Sequence, residues 1–431
     1  MNHSEHTQYC RLHFRQVAEL ALEIGEIMLT NGAETQRVED TICRLLNTTG
    51  FSRAEAYVSL TGIILGLDDP SLPSGLTLVR RISRRSNDLG RIAAANDLSR
   101  QFVEGSLTVE EALSRSRRIR DQVSYSPWLS LLYLPIIAAA FTFMFAGHPR
   151  DAAAAALMGF LVALLRLGLL RLHLTQQLRD FLCAAFLGLT TLAFTLWLPL
   201  GQHLQTVLAG SIMILVPGLS LTVSFRDLIH GDYISGIARV VESFITALCV
   251  AAGVSLVLRF WEGFSGPLLF AEPEPWLLWG RSWPLPFYIW FEALCSFLAS
   301  VFFCILFGTE RRYLGWCGVA GAVCWFVYRT VEFLLGPSLF CYFAAALVAS
   351  ALAYPLAHRC RAPVTIFFTA GIFCLVPGYR IYQTMFYFLG NDLQNGISAL
   401  FSTLGIAVLI AVAMALHSSL REALREARRR S

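Results

Sequence analysis

The rhythm of apolar and polar positions changes near residue 126. Before that point apolar residues recur at helical spacing from Phe14 to Leu29, with Asn31-Gly32 as a C-terminal stop, and again from about Thr35 to Asn47. AYVSLTGIILGL and GLTLVRRI, rich in Val, Ile, Leu and Thr and separated by DDPSLPSG, predict strands with a turn between them. Two more helices are expected near Ser86 to Glu104 and from Thr108 to about Asp121, where Thr108 and Glu111 have capping-box spacing. The first apolar run is interrupted by Glu19, Glu23 and Glu26 and follows a polar start, so it does not read as a signal peptide. Residues 1–126 therefore predict a small α/β domain.

Beyond Ser126 the pattern becomes ten apolar segments, each near the ~20 residues that span a ~30 Å hydrocarbon core. They fall at about 127–147, 151–172, 178–200, 204–224, 235–258, 287–307, 314–335, 338–357, 364–384 and 396–416. A Pro-, Gly- and Trp-rich interruption at 259–286 separates five spans from five, and a basic tail occupies 417–431. The fold class is thus a mainly α membrane protein, with five-helix repeats at 127–258 and 287–416 behind an N-terminal α/β domain.

The repeat is visible in residues. ILVPGLSLTV, Ile214 to Val223, and CLVPGYRIYQ, Cys374 to Gln383, place Pro217 and Pro377 160 residues apart. At that offset Ile212 meets Ile372, Asp232 meets Asp392, Gly236 meets Gly396 and Ala247 meets Ala407, a gapless register typical of internal duplication. Five spans starting on one face end on the other, so the second copy enters the membrane inverted. Inverted repeats are a recurring plan of secondary transporters, with substrate held near the midplane on broken helices. In Leu-Val-Pro-Gly the Pro removes an intrahelical hydrogen bond and the Gly relaxes the backbone. Each Pro lies about 13 residues into its span, roughly 20 Å along at 1.5 Å per residue.

Composition agrees with a membrane chain: 55% of the 431 residues are hydrophobic and 15% charged. All 34 basic residues are arginine. Without lysine there is no Walker A loop and no Schiff-base chemistry, so any uphill transport is not powered by a P-loop of this chain. Eleven cysteines are scattered without metal-type spacing, and no cofactor, metal or disulfide framework is expected. The N-terminal segment balances 15 Arg against 16 acidic residues. Arg171, Arg179, Arg226, Arg311, Arg312, Arg359 and Arg361 then fall on loops of one side, against Arg150, Arg259 and Arg281 on the other. The positive-inside rule accordingly puts both termini in the cytoplasm.

The candidate substrate site is Pro217, Gly218, Ser220 and Thr222 with Pro377, Gly378, Arg380 and Tyr382, where half-helix N-termini could hold a carboxylate. The competing reading is a pair of packing kinks. Glu242, two turns inside the fifth span, is a candidate proton-coupling acid or partner of a substrate ammonium; otherwise it pairs with Arg239. Arg329 and Glu332 read as a local i, i+3 ion pair before a gate, and Asp227 is a further secondary candidate. Glu292, near a span end, is expected to snorkel to water. Asp232 and Asp392 suit helix caps rather than a protease pair, since the topology puts them on opposite faces. In NGAETQRVED, Glu34, Glu39 and Asp40 are expected to complement a helix dipole.

NGAETQRVED, the Ser-Leu-Thr-Gly strand and LVPGLSLTVSFRDLIHGDYISGIAR resemble the N-terminal half of the threonine/serine exporter family. PVTIFFTAGIFCLVPGYRIYQTM resembles its smaller C-terminal membrane domain. The resemblance implies an inner-membrane secondary exporter of threonine and serine driven by the proton motive force. Related two-subunit members imply the alternative of succinate or another dicarboxylate. The implied partners are the small-molecule substrate, protons and membrane lipids, with no nucleic acid and with a homo-oligomer left open. A membrane-anchored hydrolase and a channel remain alternative classes. Phe386-Tyr387 stands where the first copy has Arg226-Asp227, so the second half cannot mirror that charge pair.

Overall fold

A computed structural model describes residues 3–48, 50, 53–68, 75–83, 86–122, 124–172, 174–197, 203–265 and 285–430. It divides into two compact units, the first comprising Met1–Ser124 with His230–Ala238 and Phe307–Glu310, the second the remainder. Of the described residues 79% are helical, with a small three-stranded sheet near the N-terminus.

In the first unit the helices are α1 (His3–Thr30), α2 (Thr35–Asn47), α3 (Leu89–Val103) and α4 (Val109–Asp121). The strands β1 (Arg53–Ser59), β2 (Gly62–Asp68) and β3 (Leu76–Arg81) form an antiparallel meander in the order β1-β2-β3. The single strand predicted over AYVSLTGIILGL is in fact two. Ser59 pairs with Gly62, leaving Leu60-Thr61 as a two-residue hairpin loop, and the Ser59 hydroxyl donates to the Gly62 carbonyl at 3.3 Å. The turn predicted at DDPSLPSG lies mostly at 69–74, outside the described residues. Along β2, Ile63, Leu65 and Leu67 are buried while Ile64 is exposed, the period-two pattern of a strand with one covered face. That face packs with Val38, Ile42 and Leu45 of α2 and the apolar stripe of α1 in one core. The Thr108–Glu111 capping box closes both ways, at 3.2 and 3.3 Å. Glu34 stands at the N-cap of α2, whereas the first turn holds no acidic residue, so Glu39 and Asp40 lie beyond the dipole position expected of them. Glu39 instead accepts from the Val58 amide at 2.8 Å, tying α2 to β1.

The second unit contains two halves with one element order. The first has α5 (Ser130–Met144), α6 (Pro149–Leu169), α7 (Gln176–Trp197), α8 (Leu204–Ile212), α9 (Gly218–Ile229) and α10 (Tyr233–Ser265). The other has α11 (Leu285–Leu306), α12 (Leu314–Leu335), α13 (Leu339–Cys360), α14 (Val364–Ile372), α15 (Gly378–Leu389) and α16 (Leu393–Arg430). From α8 and α14 onward, helix starts correspond at the 160-residue offset. Packing repeats too: α5 lies on α6 and α8 as α11 lies on α12 and α14, and α7 lies on α8 as α13 lies on α14. The halves meet through α5 on α11, α9 on α15, and α9 on α16.

Among the described residues, eight helices are long and apolar enough to cross a membrane. The segments predicted as the fourth and ninth spans are each divided into helices of 9 and 12 residues. Of the predicted 259–286 linker, 259–265 continues α10, 285–286 opens α11 and 266–284 lies outside the described residues. The predicted tail is helical as the end of α16.

Candidate functional site at the paired helix breaks

Both breaks are built alike. After Ile212, the amides of Leu215 and Val216 return to the Ile212 carbonyl at 2.8 and 3.2 Å; after Ile372, those of Leu375 and Val376 return to Ile372 at 2.8 and 3.0 Å. Each helix restarts at the glycine, and the prolines' carbonyls accept from Leu221 at 3.1 Å and Ile381 at 3.0 Å. Proline cannot continue the ladder as a donor, so the sequence dictates where each helix stops.

The two breaks touch. A methyl group built on Gly218 would lie 2.9 Å from both Cα and N of Gly378, and one built on Gly378 would lie 2.7 Å from Cγ2 of Val216. Only glycine permits this approach of backbone to backbone. The first-turn amides of α9 and α15 have no carbonyl four residues back within their helices, and the positive dipole ends begin at this contact.

The other sequence-predicted residues separate around it. Pro377 is buried and Pro217 and Ser220 are partly buried. Thr222 is buried, its hydroxyl returning to the Gly218 carbonyl at 3.2 Å. Tyr382 is buried in the apolar core, stacked on Tyr379 with ring centroids 6.0 Å apart. Arg380 is exposed on the opposite side of α15, where it donates to Gln383 at 3.3 Å.

The charged candidates fall into two clusters. Arg239 of α10 meets Asp227 of α9 at 3.4 Å, both nearly buried, an ion pair the sequence reading did not foresee because it joins neighbouring helices rather than one face. Glu242 lies one turn further along α10, partly buried, its carbonyl accepting from Thr246 at 3.0 Å. Arg329 does pair with Glu332, as expected. It also binds Glu292 of α11 at 2.6 Å. Glu292 is 1% exposed and accepts from the Trp325 indole at 3.3 Å. The expected snorkelling of Glu292 is therefore corrected: packing of α12 on α11 covers the carboxylate, and the guanidinium supplies what water would have. Asp232 and Asp392 cap α10 and α16, accepting from the amides of Ser235 and Asn395 at 3.2 Å each.

The sequence reading named Glu292 but missed the line of residues it belongs to. Glu292, Ser296 and Ser300 form a buried polar stripe on α11, and the Ser296 hydroxyl lies 3.2 Å from the Cys374 sulfur in the second break. Their i, i+4, i+8 spacing in an otherwise apolar span was the available signal.

Eight membrane-length helices in a duplicated bundle, with broken helices meeting inside it, define a multi-pass membrane protein of the transporter class. The family model of threonine/serine exporters matches residues 19–261, and a second, described as "Threonine/Serine exporter, ThrE", matches residues 292–420. The chain belongs to the threonine/serine exporter family, and is a transporter rather than an enzyme. A Mycobacterium tuberculosis protein named "Probable threonine/serine exporter" is 23% identical over 388 residues, covering 89% of this chain and 72% of that protein. Proteins of Escherichia coli and Klebsiella aerogenes, each named "Probable succinate transporter subunit YjjP", are 25% identical over 57% of this chain and 95% of their own length. No solved structure matches.

Proposed function

We propose that this protein is a secondary active exporter of threonine and serine, driven by the proton motive force across the bacterial inner membrane. In this reading it has ten spans in two inverted five-span repeats, with residues 1–126 and both termini cytoplasmic. The observation that carries it is the contact of Gly218 with Gly378, which brings two half-helix N-termini from equivalent positions to one point. The grouping of His230–Ala238 and Phe307–Glu310 with the N-terminal unit supports the orientation, since both segments belong to loops that the arginine bias assigns to the inner side.

The substrate carboxylate would be held by first-turn amides that follow Gly218 and Gly378, since the Gly378 amide itself donates to the Val376 carbonyl at 2.7 Å, and its ammonium by Glu242; Arg380, exposed on the opposite side of α15, would join only once the breaks part. With the glycine backbones in contact the point is closed, so substrate enters when the breaks part. Rocking of one repeat against the other would open it alternately to either side. Pro217, Ser220, Thr222, Pro377 and Tyr382 shape and back this point.

A second reading, dicarboxylate export, is favoured by the relatives named as succinate transporter subunits, which align along nearly their whole length. Both readings place a carboxylate at the breaks. They differ at Glu242, which would attract an ammonium and repel a second carboxylate. Counterflow of labelled threonine, serine and succinate in proteoliposomes, with and without a pH gradient, tests the proposal. Threonine and serine should move and respond to the gradient; succinate alone moving selects the second reading, and movement of none of the three rejects both.

A further inference from the structure

The exporter reading leaves open where the coupling proton is held, and this inference rests on that reading. Glu292 and Arg329 belong to different helices, and the stripe on α11 links them to the second break. At its upper end Glu292 is clasped by Arg329 and Trp325, and Arg329 also pairs with Glu332. The Tyr328 hydroxyl stands 3.2 Å from Glu332 and 3.3 Å from the Tyr342 hydroxyl of α13, with its single proton going to one of them. Along the stripe, the Ser296 hydroxyl donates to the Gly321 carbonyl at 2.9 Å and lies 3.2 Å from the Cys374 sulfur, and Ser300 stands 4.0 Å from the same sulfur. Polar side chains thus recur one helical turn apart along α11, from Glu292 at the ion-pair cluster to Ser296 and Ser300 beside Cys374, the residue that precedes Leu-Val-Pro-Gly of the second half.

The charges do not balance. Two carboxylates share one guanidinium, and a net negative charge in a low-dielectric interior is costly. Among the described residues, the groups facing Glu292 from the surrounding elements do not correct this. Tyr288 and Cys295 are on α11 itself, Arg329 and Trp325 on α12, and Cys374 at the second break. Arg380 of α15 acts on Tyr342, one residue further out. From α5 the residues that face α11 are apolar, among them Ile136, Ala139, Phe141 and Phe143. One proton on a carboxylate oxygen makes the cluster neutral. Access also differs between the two acids: Glu332 and Arg329 retain 20% and 22% side-chain exposure, against 1% for Glu292.

We propose that Glu292 carries the coupling proton, exchanging it with water by way of Glu332, and that Ser296 and Ser300 transmit its charge state to the second break. Glu242 then serves the substrate ammonium. Protonation adds one hydrogen ion to the Glu292 carboxylate and releases nothing else. It weakens the clasp on Arg329 and changes what the α11 hydroxyls face, so the break can move only in one charge state.

The test uses full-length protein in proteoliposomes. Wild type should show threonine counterflow and export accelerated by a pH gradient. Glu292→Gln, which mimics the protonated acid and leaves Arg329 paired with Glu332, should keep counterflow and lose the acceleration. Gradient response intact in Glu292→Gln but lost in Glu242→Gln overturns the assignment and returns the proton to Glu242. Should Glu292→Gln not fold, wild-type protein treated with dicyclohexylcarbodiimide, which attacks protonated carboxyls in apolar surroundings, decides by peptide mass spectrometry. Labelling of Glu292 that falls as pH rises, together with loss of gradient response, supports the proposal; a Glu292 that stays unlabelled while other membrane carboxyls react overturns it. Absence of counterflow in wild type would instead sink the exporter reading on which the assignment rests.

Discussion

Gly218 and Gly378 occupy matched positions in sequence but not in their tolerance of change. A methyl on Gly218 meets backbone atoms of Gly378, which can yield only if a helix moves; a methyl on Gly378 first meets the tip of the Val216 side chain. Overpacking costs typically ~1–3 kcal/mol where the surroundings cannot shift. Gly218→Ala should therefore lower threonine counterflow more than Gly378→Ala, each measured at equal reconstituted protein; equal loss would show that the contact is not what limits the site. The Pro-Gly pairs were legible in the sequence because their chemistry is local. The pairing of Asp227 with Arg239 was not, because nothing in a single helix's periodicity says which neighbour it will face.

Among elements, the join of α2 to β1 carries a pH dependence. Burial of Glu39 against β1 raises its carboxyl above the ordinary 4.5, opposed by the Val58 amide and assisted by the negative charges of Asp232 and Asp40. The folded state then holds this proton more tightly than the unfolded chain. The join is most stable below about 4.5, weakens as pH rises through the raised value, and is flat above it. Hydrogen exchange of β1 amides in the full-length protein should speed up across that window, and Glu39→Gln should flatten the profile. A slope unchanged in the variant would assign it to another group. At this scale the helices were readable from period and caps, as Thr108 and Glu111 illustrate. The hairpin inside AYVSLTGIILGL was hidden because Leu60-Thr61 lacks the usual Asn-Gly or Asp-Gly signal.

For the whole molecule, duplication and charge bias together predict orientation. On the proposed ten-span reading both termini would lie on one side, and the arginine-rich loops would make that side the cytoplasm. Reporters fused at either terminus of the protein in cells should both be shielded from externally added protease; opposite accessibility would require an odd number of crossings and would remove the inverted repeat. The matched packing of α5 and α8 with α11 and α14 is a tertiary fact that helix length alone understates, since each broken pair is too short, taken singly, to count as a span.

The sequence by itself determined where helices run and where two of them break, because apolar periodicity and proline act within a few residues of chain. It also determined the membrane class, because a chain 55% hydrophobic with long uncharged runs has few other ways to bury itself. Which charges pair, and that Gly218 meets Gly378, only the tertiary structure decided. Those contacts join residues from 12 to 160 positions apart, and their energy depends on which helix faces lie together rather than on any local pattern.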